Sequence, residues 1–331
     1  MANEVDIIEN DLLGDFGQEV FDILLTDQSM TVYRNDGTTH HIFWATNDYE
    51  ELGEGYAYND EIMRERITGE YSGIIKPRVL KKKEARQKRV KKMAEIFTPS
   101  WVCCYMNDNA DASWFGHNNV FAEVLHKERA WKTHQEKIEF PEGKTWEDYV
   151  RWTWMEITCG EAPFMVSRYD TTTGVAIPVK DRIGFLDHKL RVINENVDDL
   201  DEWLEDTVIA YEAVRGYEWQ GDSLFLAREN LLYTFIDNYE YKFGGCPPLK
   251  AIKEVAETIS WNVFQMDGLK GVIPNTCHDV VTTDLFGEEK RTPCPGCKSM
   301  NIHHHNGIPV LLKNFLTGET AQFHTLSNQE Y

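Results

Sequence analysis

The C-terminal part of the chain carries cysteine and histidine residues at spacings that are typical of a metal site. A Cys-x-x-Cys pair with proline and glycine inside it follows a single upstream cysteine and precedes three consecutive histidines. Such a pair commonly supplies half of a tetrahedral zinc site with a structural role. The predicted zinc ligands are Cys277, Cys294, Cys297 and one histidine of the run, represented by His303, with His278 as a substitute.

A second interpretation of these cysteines stays open, because the chain has no second Cys-x-x-Cys pair. In that case the thiols are free and lie in a polar hairpin. The first 25 residues are acidic and lack the basic and apolar stretches of a signal peptide. With an odd total of seven cysteines, this favours a reducing cytoplasm, where free thiols or metal ligands are commoner than disulfides.

Three acidic residues each follow a short apolar segment that reads as a strand: Glu156, Glu218 and Asp267. In a parallel sheet, ligands bind beyond the carboxyl ends of the strands. There the second acid can accept hydrogen bonds from ribose hydroxyls, and the third can reach an adenine amino group. The alternative is that each acid caps the helix that follows it. The order of the three acids and the turn at Cys159-Gly160 favour a nucleoside cofactor site.

The elements that must position these acids alternate along the chain from about residue 150. Helical periodicity and capping residues predict helices at 198–214, 222–243 and 247–260. Apolar strands are predicted before, between and after them, the last at 261–267. This alternation predicts the α/β class, with a parallel sheet and right-handed crossovers.

Charge and composition divide the rest of the chain. We predict an acidic N-terminal accessory region at 1–75, a cofactor-binding domain at 76–275 and a Cys/His-rich tail at 276–331. The accessory region should contain a helix at 12–25 and a strand pair around 30–44, which turns at Asn35-Asp36-Gly37.

A basic run stands out against the net charge of −21, because residues 76–92 hold ten Lys or Arg and one acid. We predict a helix here that stops before Pro99. Its Lys81 to Lys92 region is expected to contact DNA phosphates. A solvated, lysine-rich helix face is the alternative.

Several of these segments together resemble adenine-N6 DNA methyltransferases, in particular restriction endonuclease subunit M and the modification subunits of type I and related restriction systems. The segment 156–164, EITCGEAPF, is similar to their S-adenosylmethionine loop, roughly acid-Pro-x-Cys-Gly-x-Gly-x-Phe. Phe97-Thr98-Pro99 resembles the element before that loop. Segments 216–218 and 262–269 resemble the ribose-binding and adenine-binding strands. The likeness covers about residues 90–275.

The resemblance implies a Rossmann-like, S-adenosylmethionine-dependent methyltransferase sheet, with the accessory region in front and a small Cys/His-rich hairpin behind. It implies a role in a restriction-modification or phage DNA-modification system. The cofactor-binding residues that it implies are Phe97, Thr98, Pro99, Glu156, Cys159, Gly160, Ala162, Glu218 and Asp267.

The chain also departs from the family pattern. Ala162 stands where the second glycine is usual, which is unfavourable if the turn needs a positive φ. The sequence has no Asn/Asp-Pro-Pro-aromatic tetrapeptide, the motif with which the family holds a flipped base. Its one Pro-Pro pair, at 247–248, lacks both the polar residue before it and the aromatic residue after it.

No catalytic residue is therefore assigned, and methyl transfer would need a partner chain that carries the motif; a restriction subunit is a second expected partner. A non-catalytic, degenerate methyltransferase fold that acts as an interaction or anti-restriction protein is the alternative function. A methyltransferase for RNA is a third.

Overall fold

The computed structural model describes residue 5 and residues 7–81, 98–283 and 286–328. The predicted DNA-contacting residues Lys82 to Lys92, and Phe97 of the predicted cofactor site, lie outside the described residues. Within the described part, the chain is of mixed α/β structure, with ten α-helices and four small sheets.

The helices are α1 Glu9–Leu25, α2 Gln28–Arg34, α3 Arg64–Ile67, α4 Ser100–Phe115, α5 Trp146–Arg151, α6 Phe185–Asn196, α7 Leu200–Glu212, α8 Gly221–Phe243, α9 Leu249–Asn262 and α10 Pro295–Ser299. The strands are β1 Ala122–Leu125, β2 Ala130–Thr133, β3 Trp154–Glu156, β4 Val214–Glu218, β5 Val263–Gln265, β6 Val280–Thr283, β7 Glu289–Thr292, β8 Leu311–Lys313 and β9 Thr320–Gln322. These bounds confirm the three helices predicted between residues 198 and 260 and the helix predicted at 12–25.

A three-stranded sheet with the order β3-β4-β5 lies at the centre of the fold. Both strand pairs are parallel: Trp154 faces Val214, and Gly216 faces Val263. The parallel pairing predicted from alternating strands and helices is thus confirmed. The other three sheets are two-stranded antiparallel hairpins: β1-β2, β6-β7 and β8-β9.

Side chains alternate between the two faces of this sheet, as the pleat requires. Val214 and Val263 join a large apolar core on one face, to which α1, α8 and α9 contribute. Tyr217 and Phe264 join a smaller core on the other face. The smaller core is closed by residues from both ends of the chain: Met30, Phe43, Ala45, Ile273, Val310 and Leu312. The N-terminal region and the C-terminal tail therefore both pack against the central sheet.

The strand pair expected around residues 30–44 is wrong, because residues 28–34 form helix α2. The Asp27 carboxylate accepts a hydrogen bond from the Met30 amide at 2.8 Å, which caps the start of the helix. Asn35 then ends the helix in the left-handed conformation, at φ 45°. The Asn-Asp-Gly sequence thus ends a helix instead of turning a hairpin. Beyond it, isolated bridges pair Thr26 with His41 and Phe43 with Glu61.

Replacing Gly221 with alanine should destabilise the protein. Its amide donates to the Trp44 carbonyl at 3.0 Å, and a Cβ at this position would lie 2.1 Å from the Phe43 carbonyl oxygen. Since that neighbour is backbone, α8 must move, and we expect a loss of about 1–3 kcal/mol in the free energy of unfolding. Urea denaturation measures it. Gly14→Ala is the matched control, because this exposed α1 residue has open space around it and should gain about 0.5–1 kcal/mol. Equal stabilities of the two variants would contradict the close approach.

Candidate metal centre and carboxyl edge of the parallel sheet

Three cysteines and one histidine in the C-terminal tail converge to form a group that could hold a metal ion: Cys277, Cys294, Cys297 and His305. The Nδ1 atom of His305 lies 3.5 Å from the Sγ of Cys277 and 3.7 Å from the Sγ of each of the other two. A tetrahedral zinc ion with ordinary Zn–S and Zn–N bond lengths requires an S···N separation of about 3.6 Å. The spacing of the donor atoms therefore fits a tetrahedral ion.

The local sequence explains how the ligands meet. Cys294 precedes the short helix α10, and its Sγ accepts a hydrogen bond from the Asn306 amide at 3.3 Å. Gly296, inside the Cys-x-x-Cys turn, lies against His305: a Cβ there would sit 2.5 Å from both the backbone nitrogen and the ring Cγ of that histidine. The small residue between the cysteines is thus needed for the histidine to approach.

The histidine of the group is His305, and the choice of His303 is corrected. The Asn301 side chain accepts from the His303 amide at 2.9 Å and caps a 3-10 turn at Ile302–His304. The exposed ring of His303 packs edge-on against His324 at 5.5 Å. His278, the named substitute, also lies outside the group. In a run of three histidines, no signal in the sequence distinguishes the ligand from its neighbours.

One thiol of the group has a lowered pKa and so ionises more readily than an ordinary cysteine. Burial opposes ionisation of Cys294, but the backbone amides of Cys297 and Asn306 and the His305 side chain outweigh it, so its pKa falls to about 6. The thiolate is the form that binds a metal. Burial and the neighbouring Cys294 raise the pKa of Cys277 to about 12, so Cys294 is the first of the two to carry charge.

The metal group lies immediately before the segment that closes the smaller core. The Ile308 amide donates to Thr276 Oγ1 at 2.9 Å, and the Val310 amide donates to the Gly271 carbonyl at 3.1 Å. Fixing residues 277–305 with an ion would therefore fix the tail against Tyr217 and Phe264 of the sheet.

Tag-free protein should contain about one zinc ion per chain by elemental analysis. His305→Ala should lose most of this zinc because it removes a ligand, whereas His303→Ala should retain it. A chelator should lower the melting temperature of the wild type and leave that of His305→Ala nearly unchanged, since bound metal stabilises the folded state by linkage. Zinc-free, reduced wild-type protein, or equal zinc in both variants, would contradict the assignment.

The three predicted acids lie at the carboxyl ends of the parallel strands. Glu218 ends β4, and its Oε2 accepts from the Gly160 amide at 2.8 Å. Its Oε1 accepts from the amides of Trp219 and Gln220 at 2.9 and 3.2 Å. The Glu218 carboxylate thus joins the loop after β3 to the start of α8. Burial raises its pKa, and the three amides counteract part of this rise.

Glu156 ends β3 and is the least satisfied of the three acids. Burial raises its pKa well above the usual value, the amides of Phe164 and Met165 oppose the rise, and the nearby Glu218 adds to it. Its buried Oε2 has no hydrogen-bond partner among the described residues. No described residue uses the hydrogen-bonding capacity of this buried oxygen.

Asp267 lies two residues after the end of β5, and its side chain is bonded by the residues that follow it in the chain. Its Oδ1 accepts from the Leu269 amide at 3.1 Å, and its Oδ2 pairs with the Lys270 ammonium at 2.9 Å. The side chain is buried, at 4% exposure of the residue. All three acids therefore have local protein contacts at one sheet edge, but none of them caps the helix that follows it.

The loop after β3 has an unusual backbone. Thr158, Gly160 and Ala162 have φ values of 51°, 56° and 63°. Ala162 is fully buried, and its left-handed conformation costs a residue with a Cβ roughly 1–2 kcal/mol. The position where the family pattern has glycine is thus one where the backbone favours glycine. The Cys159 amide donates to the Tyr217 carbonyl at 2.8 Å, which holds the loop against β4.

Thr98 and Pro99 lie at the start of α4. The Thr98 carbonyl accepts from Thr171 Oγ1 at 2.9 Å, and Pro99 is the residue before the helix. The structure thus joins Gly160 and Glu218 directly and places Glu156 near Glu218, whereas Thr98 is bonded to Thr171 in the loop at 170–173.

Comparisons with known proteins found no match to a protein-family model, a curated protein or a solved structure. Across the described residues, none of the helices combines the length and apolar character that crossing a membrane requires.

Replacing Glu156 with glutamine should stabilise the protein at high pH. The folded-state pKa of Glu156 is raised, so the folded state binds its proton more tightly than the unfolded state. Stability from this group is present at low pH and is lost as pH rises above the unfolded pKa toward the folded one. A neutral side chain removes that loss. The free energy of unfolding of the variant should therefore exceed that of the wild type by roughly 1–3 kcal/mol at pH 8 and by little near pH 4.5. Denaturation at both pH values measures it, with the exposed Glu123→Gln as control. A gain that does not depend on pH would contradict the explanation.

Proposed function

We propose that this chain is an S-adenosylmethionine-binding, DNA (adenine-N6) methyltransferase-like subunit of a restriction-modification or phage DNA-modification system. One observation carries the proposal: β3, β4 and β5 lie side by side, parallel and in chain order, and a buried acid stands at the carboxyl end of each. This edge is where open α/β sheets bind nucleosides. The proposal includes a Rossmann-like methyltransferase sheet.

The acceptors at this edge suit the proposed cofactor. A carboxylate can accept about four hydrogen bonds. Glu218 uses three with backbone amides, and Asp267 uses two, with Leu269 and Lys270. The capacity that remains on these two carboxylates fits ribose hydroxyls, an adenine amino group and an ammonium group. S-adenosylmethionine, when bound, supplies a methyl group from a cationic sulfonium, and acids at the edge favour a cation.

The chain's own residues are proposed to bind and orient the cofactor, and not to hold the acceptor amine. Pro248 precedes α9, so the one Pro-Pro pair comes before β5 in the chain, whereas Asp267 follows β5. We therefore propose that a partner chain contributes the base-holding tetrapeptide. A catalytic role for this chain alone is not assigned.

The basic run at 76–92 is proposed to contact DNA phosphates. Lys81, the described lysine nearest to its centre, lies 3.5 Å from the buried Asp222 carboxylate at the start of α8. Tyr49 donates to the same carboxylate oxygen at 2.9 Å. The Lys81 ammonium is thus engaged by the protein, and the phosphate contacts are proposed for the later lysines and arginines of the run.

Calorimetric titration with S-adenosylmethionine tests the proposal. The wild type should bind, and Glu218→Gln should bind about tenfold more weakly or worse, because an amide cannot accept from Gly160 and a ribose hydroxyl as the carboxylate does. Glu212→Gln, at the other end of β4, is the matched control and should bind normally. Absence of binding by the wild type would contradict the proposal and favour a degenerate fold with an interaction role. Equal affinities of the two variants would contradict a cofactor site at this edge.

A further inference from the structure

A cavity of about 830 Å³ is lined neither by the ligands of the Cys3His group nor by the three acids of the sheet edge. Its walls are the β1-β2 hairpin, the loop at 170–178, and Pro99 with Trp101 at the start of α4. The volume is within the range of roughly 300–1,000 Å³ that small-ligand sites show.

Two indole rings line this cavity and are held by neighbouring groups. Trp131 Nε1 donates to the Asp181 carbonyl at 3.1 Å, so the polar atom of this ring is already satisfied. Thr133 Oγ1 donates to the Asp181 carboxylate at 2.7 Å and fixes the same strand. Trp101 meets the ring of His126 edge-on at 6.1 Å. Rings held in this way suit stacking on a planar ligand, because little conformational entropy is lost on binding.

The opposite wall is a tight loop built around Asp170. Its Oδ1 accepts from the amides of Thr172 and Thr173 at 3.1 and 2.8 Å. Thr171 Oγ1 donates to the Thr98 carbonyl at 2.9 Å, which joins the loop to the start of α4. Each of the two acids of the cavity, Asp170 and Asp181, thus uses its Oδ1 atom to build the walls.

The cations of the cavity are not used in this way. Arg129 and Lys132 are exposed on the hairpin and line the cavity, and neither forms an ion pair within the described part of the chain. Aromatic walls beside available cations favour a ligand that is both planar and anionic. Pro99, in the wall, lies seven residues after Lys92 at the end of the basic run.

We propose that this cavity binds a single unstacked nucleobase of a nucleic-acid strand, stacked on Trp101 and Trp131, with the adjoining phosphates at Arg129 and Lys132. The inference rests on the proposed function in one respect: the strand is the DNA on which the system acts. Because a base must leave the helix stack to enter, a single strand should bind more tightly than a duplex.

Fluorescence anisotropy with a dye-labelled single strand of about 12 nucleotides tests this site. Trp101→Leu with Trp131→Leu should weaken binding about 10- to 100-fold without changing its salt dependence, since stacking releases no counterions. Arg129→Gln with Lys132→Gln should weaken binding and lower the slope against log salt by about 1.4. Lys290→Gln with Arg291→Gln, on the exposed strand β7, is the control and should bind as the wild type. The exposed charge variants remain informative if the tryptophan pair does not fold.

Wild-type affinity in both the tryptophan and the charge variants would overturn the proposal, because the basic run would then bind the strand alone. Equal affinity for a blunt duplex, or tighter binding of a trimethyllysine peptide, would overturn it as well. Cofactor calorimetry on the same proteins separates the two proposals. Strand binding that depends on the tryptophans, in protein that takes up no cofactor, supports the base site and contradicts the proposed function.

Discussion

One buried guanidinium joins the N-terminal region to the central sheet. Arg228 of α8 is fully buried, and its donors reach four backbone carbonyls at 2.7–3.2 Å: those of Leu24, Thr26, Ser260 and Val263. Carbonyls at helix ends lack partners inside their own helix, and the negative end of the helix dipole favours a cation. Burial lowers the pKa of Arg228 only to about 10, so it stays charged at neutral pH. Without it, the ends of α1 and α9 would be buried with unsatisfied acceptors.

The position of the sheet edge depends on this connection. Because α1 and β5 are fixed to the same side chain, residues 43–45 come to lie beside β5. There the Gln265 side chain bonds both the amide and the carbonyl of Phe43, at 3.0 and 2.8 Å. Phe43 also lies against Gly221 at the start of α8, next to Glu218. The C-terminal tail packs on the same smaller core. The carboxyl edge of the sheet is thus set by contacts from both ends of the chain, and an ion bound by the Cys3His group would fix one of them.

The sequence predicts much of the central region, because its strands are apolar and its helices have caps and helical periodicity. It predicts less where the decisive partner is distant. Leu24 and Arg228 are 204 positions apart in the sequence, and neither segment carries a local pattern that predicts their contact. The docking of the N-terminal region on α8 could therefore not be predicted from either segment. The chain does turn at Asn35, as the Asn-Asp-Gly sequence predicts. Because Asp27 caps a helix before it, however, Asn35 ends that helix and does not join two strands. Three metal ligands were predicted from spacing, whereas His305 was selected by a close approach to Gly296 that only the fold creates.

The carboxyl edge also has an energetic asymmetry. Glu218 is surrounded by amides that stabilise its charge, while Glu156 beside it keeps one buried oxygen without a partner among the described residues. An unsatisfied buried acceptor costs roughly 1–3 kcal/mol, and a ligand that donates to it recovers that amount on binding. The left-handed Ala162 adds strain to the same loop. Glu218 therefore orients the loop after β3, whereas the unpartnered oxygen of Glu156 and the left-handed Ala162 are the points at this edge where the protein alone is least satisfied.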